Sequence, residues 1–192
     1  MDAKKISLKV ATAGGLAPSH ARAIEAFHQV IAGAKLPEPL VDVVDYSHVH
    51  RGPSALLVGH ESDYGLELGP GGARLFYQRK RVVDDAADSR LHDALRRLLA
   101  MAALLERELA PLRFALDDIE LRFLDRLTAP NSEATFSTYK PEIAKWAETL
   151  LGSGASLERT SLDEREPLTV RVRAVDSAAP SVAEARARLG FA

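Results

Sequence analysis

Between residues 85 and 109 the chain places Leu91, Leu95, Leu98, Ala102, Leu105 and Leu109 every three or four positions, the period of one apolar helix face. At ~1.5 Å per residue such a helix runs roughly 36 Å, the width of a whole domain. It predicts a spine for the core, and the segments on either side must supply the surface it packs on.

Those segments read mainly as strands. "ISLKVAT" sets Ile6, Leu8 and Val10 on one face and Ser7, Lys9 and Ala11 on the other, the period-two pattern of a half-buried strand. "AGGLAPS" is a turn whose Pro18 and Ser19 open a helix over about 19–34, with Ile24, Phe27 and Ile31 at helical spacing; "PEP" at 37–39 stops it. "LVDVVDYSHV" and "SALLVGH" are two further strands around the turn residues Gly52 and Pro53. "YGLEL" and "ARLFYQRKR" are joined as a hairpin by the four-residue loop "GPGG".

The second half repeats this order. "IELRFLDRLT" is a strand, and the following helix has Pro141 near its first position and Ile143, Trp146, Ala147, Leu150 and Leu151 on one face. "SLERTSL" and "PLTVRVRAV" are strands separated by the polar "DERE", and the tail forms a short helix ending at Gly190. "RGPSALLVGH" stands opposite "REPLTVRVRA" when the halves are laid side by side. The expected fold is therefore α+β, a largely antiparallel sheet with three main helices. The element order suggests two βαββ-like (ferredoxin-like) pseudo-repeats joined by the long helix. Residues 1–82 form the first half, 83–110 the bridging helix, 111–176 the second half and 177–192 the tail, within one compact domain.

A length of 192 residues suits such a domain and lets it bury roughly 70% of its unfolded surface without a staple. The absence of cysteine excludes disulfides, thiolate catalysis and thiolate-bound zinc or iron–sulfur clusters, so any metal would rest on His, Asp or Glu. The start "MDAKKISLKVAT" lacks the apolar core of a secretory signal, and no run approaches the ~20 apolar residues of a membrane span. A cytoplasmic protein without membrane contact is expected. A formal charge of −2 supplies no basic field, which disfavours nucleic acid as a partner.

The densest polar chemistry lies in "DYSHVHRGPSALLVGHESDYG", which holds three of the six histidines. His48 and His50 are two apart and share a face if they lie on a strand. With His60 or Asp63 as a third ligand they would hold a divalent metal, Glu61 serving as base for bound water. His48, His60 and Glu61 are the catalytic candidates on that reading. An antiparallel hairpin turning at 51–53, however, carries His60 to the far end of its strand, away from His48. "ALLVG", apolar throughout, reads as a strand covered on both faces, whose polar ends mark only where it emerges.

"TAGGLAPSH" resembles a phosphate-binding turn only in its glycines, lacking the Lys-Ser/Thr of a P-loop and the third glycine of a dinucleotide fingerprint. On the last strand Arg171 and Arg173 share a face, which Lys9 and Arg122 join if the strands pair. These arginines, with Tyr46, are the candidates for a small anionic ligand, and Glu120, Asp125 and Glu158 are the acids placed to neutralise them. The leading expectation is a non-enzymatic ligand-binding or assembly module that self-associates, with no cofactor. A metal-dependent hydrolase centred on His48, His50 and His60 is the alternative, and anion or nucleic-acid binding on the arginine face the third.

Overall fold

The computed structural model describes residues 3–33, 36–49, 54–81, 87–152, 154–175 and 179–190. Within them the chain forms one eight-stranded sheet, every adjacent pair antiparallel. The strands are β1 (Ile6–Thr12), β2 (Leu40–Asp45), β3 (Ala55–Gly59), β4 (Ser62–Gly69), β5 (Gly72–Arg79), β6 (Phe114–Phe123), β7 (Ala155–Arg159) and β8 (Leu168–Ala174). The helices are α1 (His20–Gly33), α2 (Ala87–Glu108), α3 (Glu133–Leu151) and the short α4 (Val182–Arg188). Across the sheet the order is β2-β3-β4-β5-β1-β6-β8-β7. The α+β class and the largely antiparallel sheet agree with the sequence. No helix among the described residues is long and apolar enough to cross a membrane.

Register explains where the core lies. Leu57, Tyr64, Tyr77, Leu8, Leu121 and Val170 stand directly opposite one another on successive strands, and so do Ala55, Leu66, Leu75, Val10, Ile119 and Val172. All are fully or almost fully buried. Side chains directly opposite in a ladder share a face, so these two rows define one apolar face of the sheet. The helices cover that face, α2 against β1 and β5, α1 against β2 and β3, and α3 against β7 and β8, with α2 touching α1 and α4. The leucine stripe of α2 is its buried spine, Leu91 through Leu105 being at most 2% exposed.

Three expectations change. α3 begins at Glu133, eight residues before Pro141, so the proline lies inside the helix. Ser132 caps it, accepting from the Thr135 N–H at 3.1 Å, and the added turns bury Phe136 and Tyr139, the latter edge-on to Phe123 at 5.1 Å. Capping and aromatic burial outweigh the backbone hydrogen bond that proline forfeits. β3 is buried on one face only, with Ala55 and Leu57 inside and Leu56 and Val58 half-exposed, because among the described residues no helix covers the other side. The two halves also differ in their neighbours: β8 pairs directly with β6, whereas the β4–β5 hairpin separates β3 from β1.

The two glycine-rich turns meet. Gly72, at φ +107°, lies so close to Gly15 that a Cβ there would sit 2.7–2.9 Å from the Gly15 backbone. The Thr12 hydroxyl and the Leu16 carbonyl both accept from the Ala73 N–H, closing the contact. Gly15 of "TAGGLAPS" thus serves a backbone approach. Gly72→Ala combines a strained φ with that clash and is expected to lower stability by about 1–3 kcal/mol in chemical denaturation.

Candidate functional site

The antiparallel β2–β3 pair determines where the histidines go. Leu40 is opposite Gly59 and Asp45 opposite Ala55, so His48 follows one end of the pair and His60 the other, roughly 13 Å or more apart. This is the separation expected from a simple hairpin. His50 lies outside the described residues. Both His48 and His60 are exposed. Glu61 accepts from Arg97 at 2.6 Å and Asp63 pairs with Lys80 at 2.7 Å. Among the described residues no three His, Asp or Glu side chains gather as a metal site.

At the His48 end the sequence did not disclose His20. From the first turn of α1 its Nε2 lies 2.8 Å from Asp45, at the end of β2. The Ser47 N–H at 2.9 Å and the Ser47 side chain, with His20, hold the Asp45 carboxyl down at about 2. Tyr46 and His48 are neighbours, their rings 6.2 Å apart. The arrangement is an Asx turn with a histidine docked on it.

The opposite end of the same sheet region carries a buried ionic network. Glu38, from the "PEP" segment, has a fully buried carboxylate that accepts from the N–H groups of Glu61 (2.7 Å) and Ser62 (3.0 Å), from the Tyr64 hydroxyl (2.8 Å) and from Arg97 (2.8 Å). Arg97 also donates to Asp93 at 2.8 Å, so its three nitrogens serve three carboxylates. Arg79, 2% exposed, donates to Asp93 and to the Tyr77 hydroxyl. Burial alone would raise the Asp93 carboxyl, but the hydrogen bond from Arg96 and the charges of Arg97 and Arg79 hold it below the ordinary carboxylate range. The Tyr64 phenol is pushed up by burial and by Glu38. Room for Glu38 exists because residue 59 is glycine: a Cβ there would lie 2.6 Å from the carboxylate. The carboxylate oxygens of Glu38 and Asp93 are satisfied within the protein, while the Arg79 Nη1 is buried without an acceptor among the described residues, and the network suits a fastening between α2 and the sheet.

The uncovered sheet face divides into two halves. From β1 to β7, Lys9, Glu120, Arg171 and Glu158 stand opposite one another as a ladder of alternating charge. Lys9 also reaches Glu67 at 2.8 Å, Arg171 pairs with Asp118 at 2.7 Å, and Arg173 pairs with Glu158 at 3.1 Å and Asp118 at 3.5 Å. Burial would raise the Asp118 carboxyl, yet these arginines hold it low. Arg171 and Arg173 are therefore neutralised by Asp118 and Glu158. Arg122, across from Ser7 and Thr169, has no ion pair among the described residues.

From β2 to β5 the same face carries an apolar row, flanked by Asp42, Asp63 and Gln78 in the row of Val58 and by Glu67 and Arg74 on its other side. Val44, Leu56, Gly65 and Phe76 succeed one another in register, with Val58 in the next row. None of these side chains packs on the core. The Phe76 ring covers Gly65, where a Cβ would meet it at 2.2 Å. The sequence carried a sign of this strip, since "ALLVG" is apolar at odd and even positions alike. Two-sided cover was the simpler reading, and only the missing layer distinguishes it from a bare apolar face. In comparison with known proteins, the chain matches no family model, no curated protein and no solved structure.

Proposed function

We propose that this chain is a non-enzymatic assembly module that pairs with a second copy of itself through the bare face of the sheet. One observation carries the reading: among the described residues the eight-stranded sheet has helices on one side only, and on the other Val44, Leu56 and Phe76 form an apolar row with Val58 beside it. Such a patch marks an interaction surface. Strands ~4.8 Å apart and ~3.3 Å per residue give the face an area of roughly 700 Å². Two copies stacked face to face would bury on the order of 1,400 Å², within the range of specific interfaces.

Two pairs of the face are complementary in one twofold arrangement. A twofold axis crossing the strands, between the row of Leu56 and Glu120 and the row of Val58 and Arg122, sets Leu56 of one copy over Val58 of the other. It also sets Glu120 over Arg122, whose guanidinium has no ion pair among the described residues. We read the common order of strand, helix, outer strand and inner strand in the two halves as a pseudo-repeat, with the β4–β5 hairpin inserted between β3 and β1. Light scattering coupled to gel filtration tests the assembly. A dimer is expected at micromolar concentration, and Phe76→Glu should weaken it by roughly 100-fold, as the loss of a central apolar anchor does. Unchanged circular dichroism would show that the variant still folds. A wild-type chain that stays monomeric at high concentration, or a dimer indifferent to Phe76→Glu and Leu56→Lys, would sink the proposal.

A further inference from the structure

On the helix side of the sheet, opposite the proposed assembly face, a cavity of about 220 Å³ opens between three helices. Leu91 of α2, Trp146 of α3 and Leu189 just beyond α4 wall it with apolar surface. The volume falls below the roughly 300–1,000 Å³ of pockets for drug-sized ligands. It exceeds the roughly 150 Å³ of an apolar cavity that takes up benzene, so a molecule of about six to nine non-hydrogen atoms fits.

The polar groups of the wall decide the charge of that molecule. Glu142 of α3 and His92 of α2 already have partners within the protein, so neither offers an unmet charge. Lys145 is exposed, and water serves its ammonium. A ligand carboxylate turned toward Lys145 would also approach Glu142, its neighbour three residues away on the same helix. The Thr149 hydroxyl donates to the Lys145 carbonyl at 2.9 Å. One buried donor of the wall is left unanswered: Trp146 is 7% exposed, and its indole N–H has no acceptor among the described residues. We infer that this cavity binds a small neutral molecule, apolar over most of its surface and carrying one acceptor oxygen, of the ketone class. Its carbonyl oxygen accepts from the Trp146 N–H, and its hydrocarbon lies against Leu91, the Trp146 ring and Leu189. A hydrocarbon would leave the indole N–H unmet, a charged molecule would enter without a free counter-charge, and a polyol would not fill the apolar walls.

Trp146 is the chain's sole tryptophan, so its emission and its single indole N–H resonance both report occupancy directly. Titration with cyclohexanone is expected to give a saturable change in emission and to move the N–H resonance downfield. Cyclohexanecarboxylate and cyclohexylamine, which keep the ring and add a charge, should each bind at least about tenfold more weakly, because an unpaired charge costs far more to bury than a carbonyl. Trp146→Phe keeps an aromatic wall and removes the donor. Followed by ligand-observed NMR, it should weaken cyclohexanone binding by about three- to tenfold, the order of one lost hydrogen bond, while keeping the wild-type far-ultraviolet circular dichroism. Equal binding of the three probes, an N–H resonance unmoved by saturating cyclohexanone, or an affinity indifferent to Trp146→Phe would overturn the assignment of a neutral acceptor. The lack of a saturable response to cyclohexanone and to 4-methyl-2-pentanone would overturn the site itself. Neither result bears on assembly through the sheet.

Discussion

Glu38→Ala is expected to lower the free energy of unfolding by about 3–5 kcal/mol, the range for removing one partner of a buried ion pair. The carboxylate has four donors around it, and the substitution leaves each without its acceptor. Arg97, with its side chain 8% exposed, would keep its charge beside Asp93 and Glu61 but lose its most deeply buried partner. The Tyr64 hydroxyl and the Glu61 and Ser62 N–H groups would be stranded as well. Urea titration measures the effect as a fall in midpoint at constant slope. Pairing Glu38→Gln with Arg97→Leu should recover part of the loss, since removing both charges spares the desolvation that one alone suffers. A loss under ~1 kcal/mol for Glu38→Ala would mean that water reaches the network.

Leu57→Ala should cost about 2–5 kcal/mol through lost burial and a residual cavity. Leu57 is fully buried between Val43 of β2 and Tyr64 of β4 on the core face. Its neighbour separates one-sided from two-sided burial. Leu56→Ala should cost under ~1 kcal/mol in the monomer, because Leu56 points to the uncovered face. Comparable losses at the two positions would place a second apolar layer over β3 and remove the basis for a bare sheet face.

How much of this was legible depended on the kind of information each feature needs. β1 is visible in "ISLKVAT" because alternation is a local property of a strand with one wet face. The stripe of α2 is likewise local. Arg97 falls three residues after Ala94 and four before Met101, both buried, and so lies at the edge of the core face of α2 rather than in its leucine stripe. Glu38 offered no comparable sign: between two prolines it reads as a helix stop, and its role depends on Gly59 leaving room twenty-one residues later. The arginine face was legible as a face, but its chief counter-charge, Asp118, comes into register only through the β6–β8 pairing.

Local periodicity by itself determined the strands, the long helix, the antiparallel α+β class and the distance between His48 and His60, since each follows from side-chain direction along a short segment. Sheet order and the number of layers were decided by tertiary structure. Whether an apolar strand position faces a helix or open water depends on residues distant in the chain, and so does the hairpin inserted between β3 and β1. The same holds for the contact of Gly15 with Gly72, the closure of four donors around Glu38, and the meeting of Leu91, Trp146 and Leu189 at one cavity. Each of these draws its energy from groups brought together only when the sheet closes over its helices, so no window of sequence contains both partners.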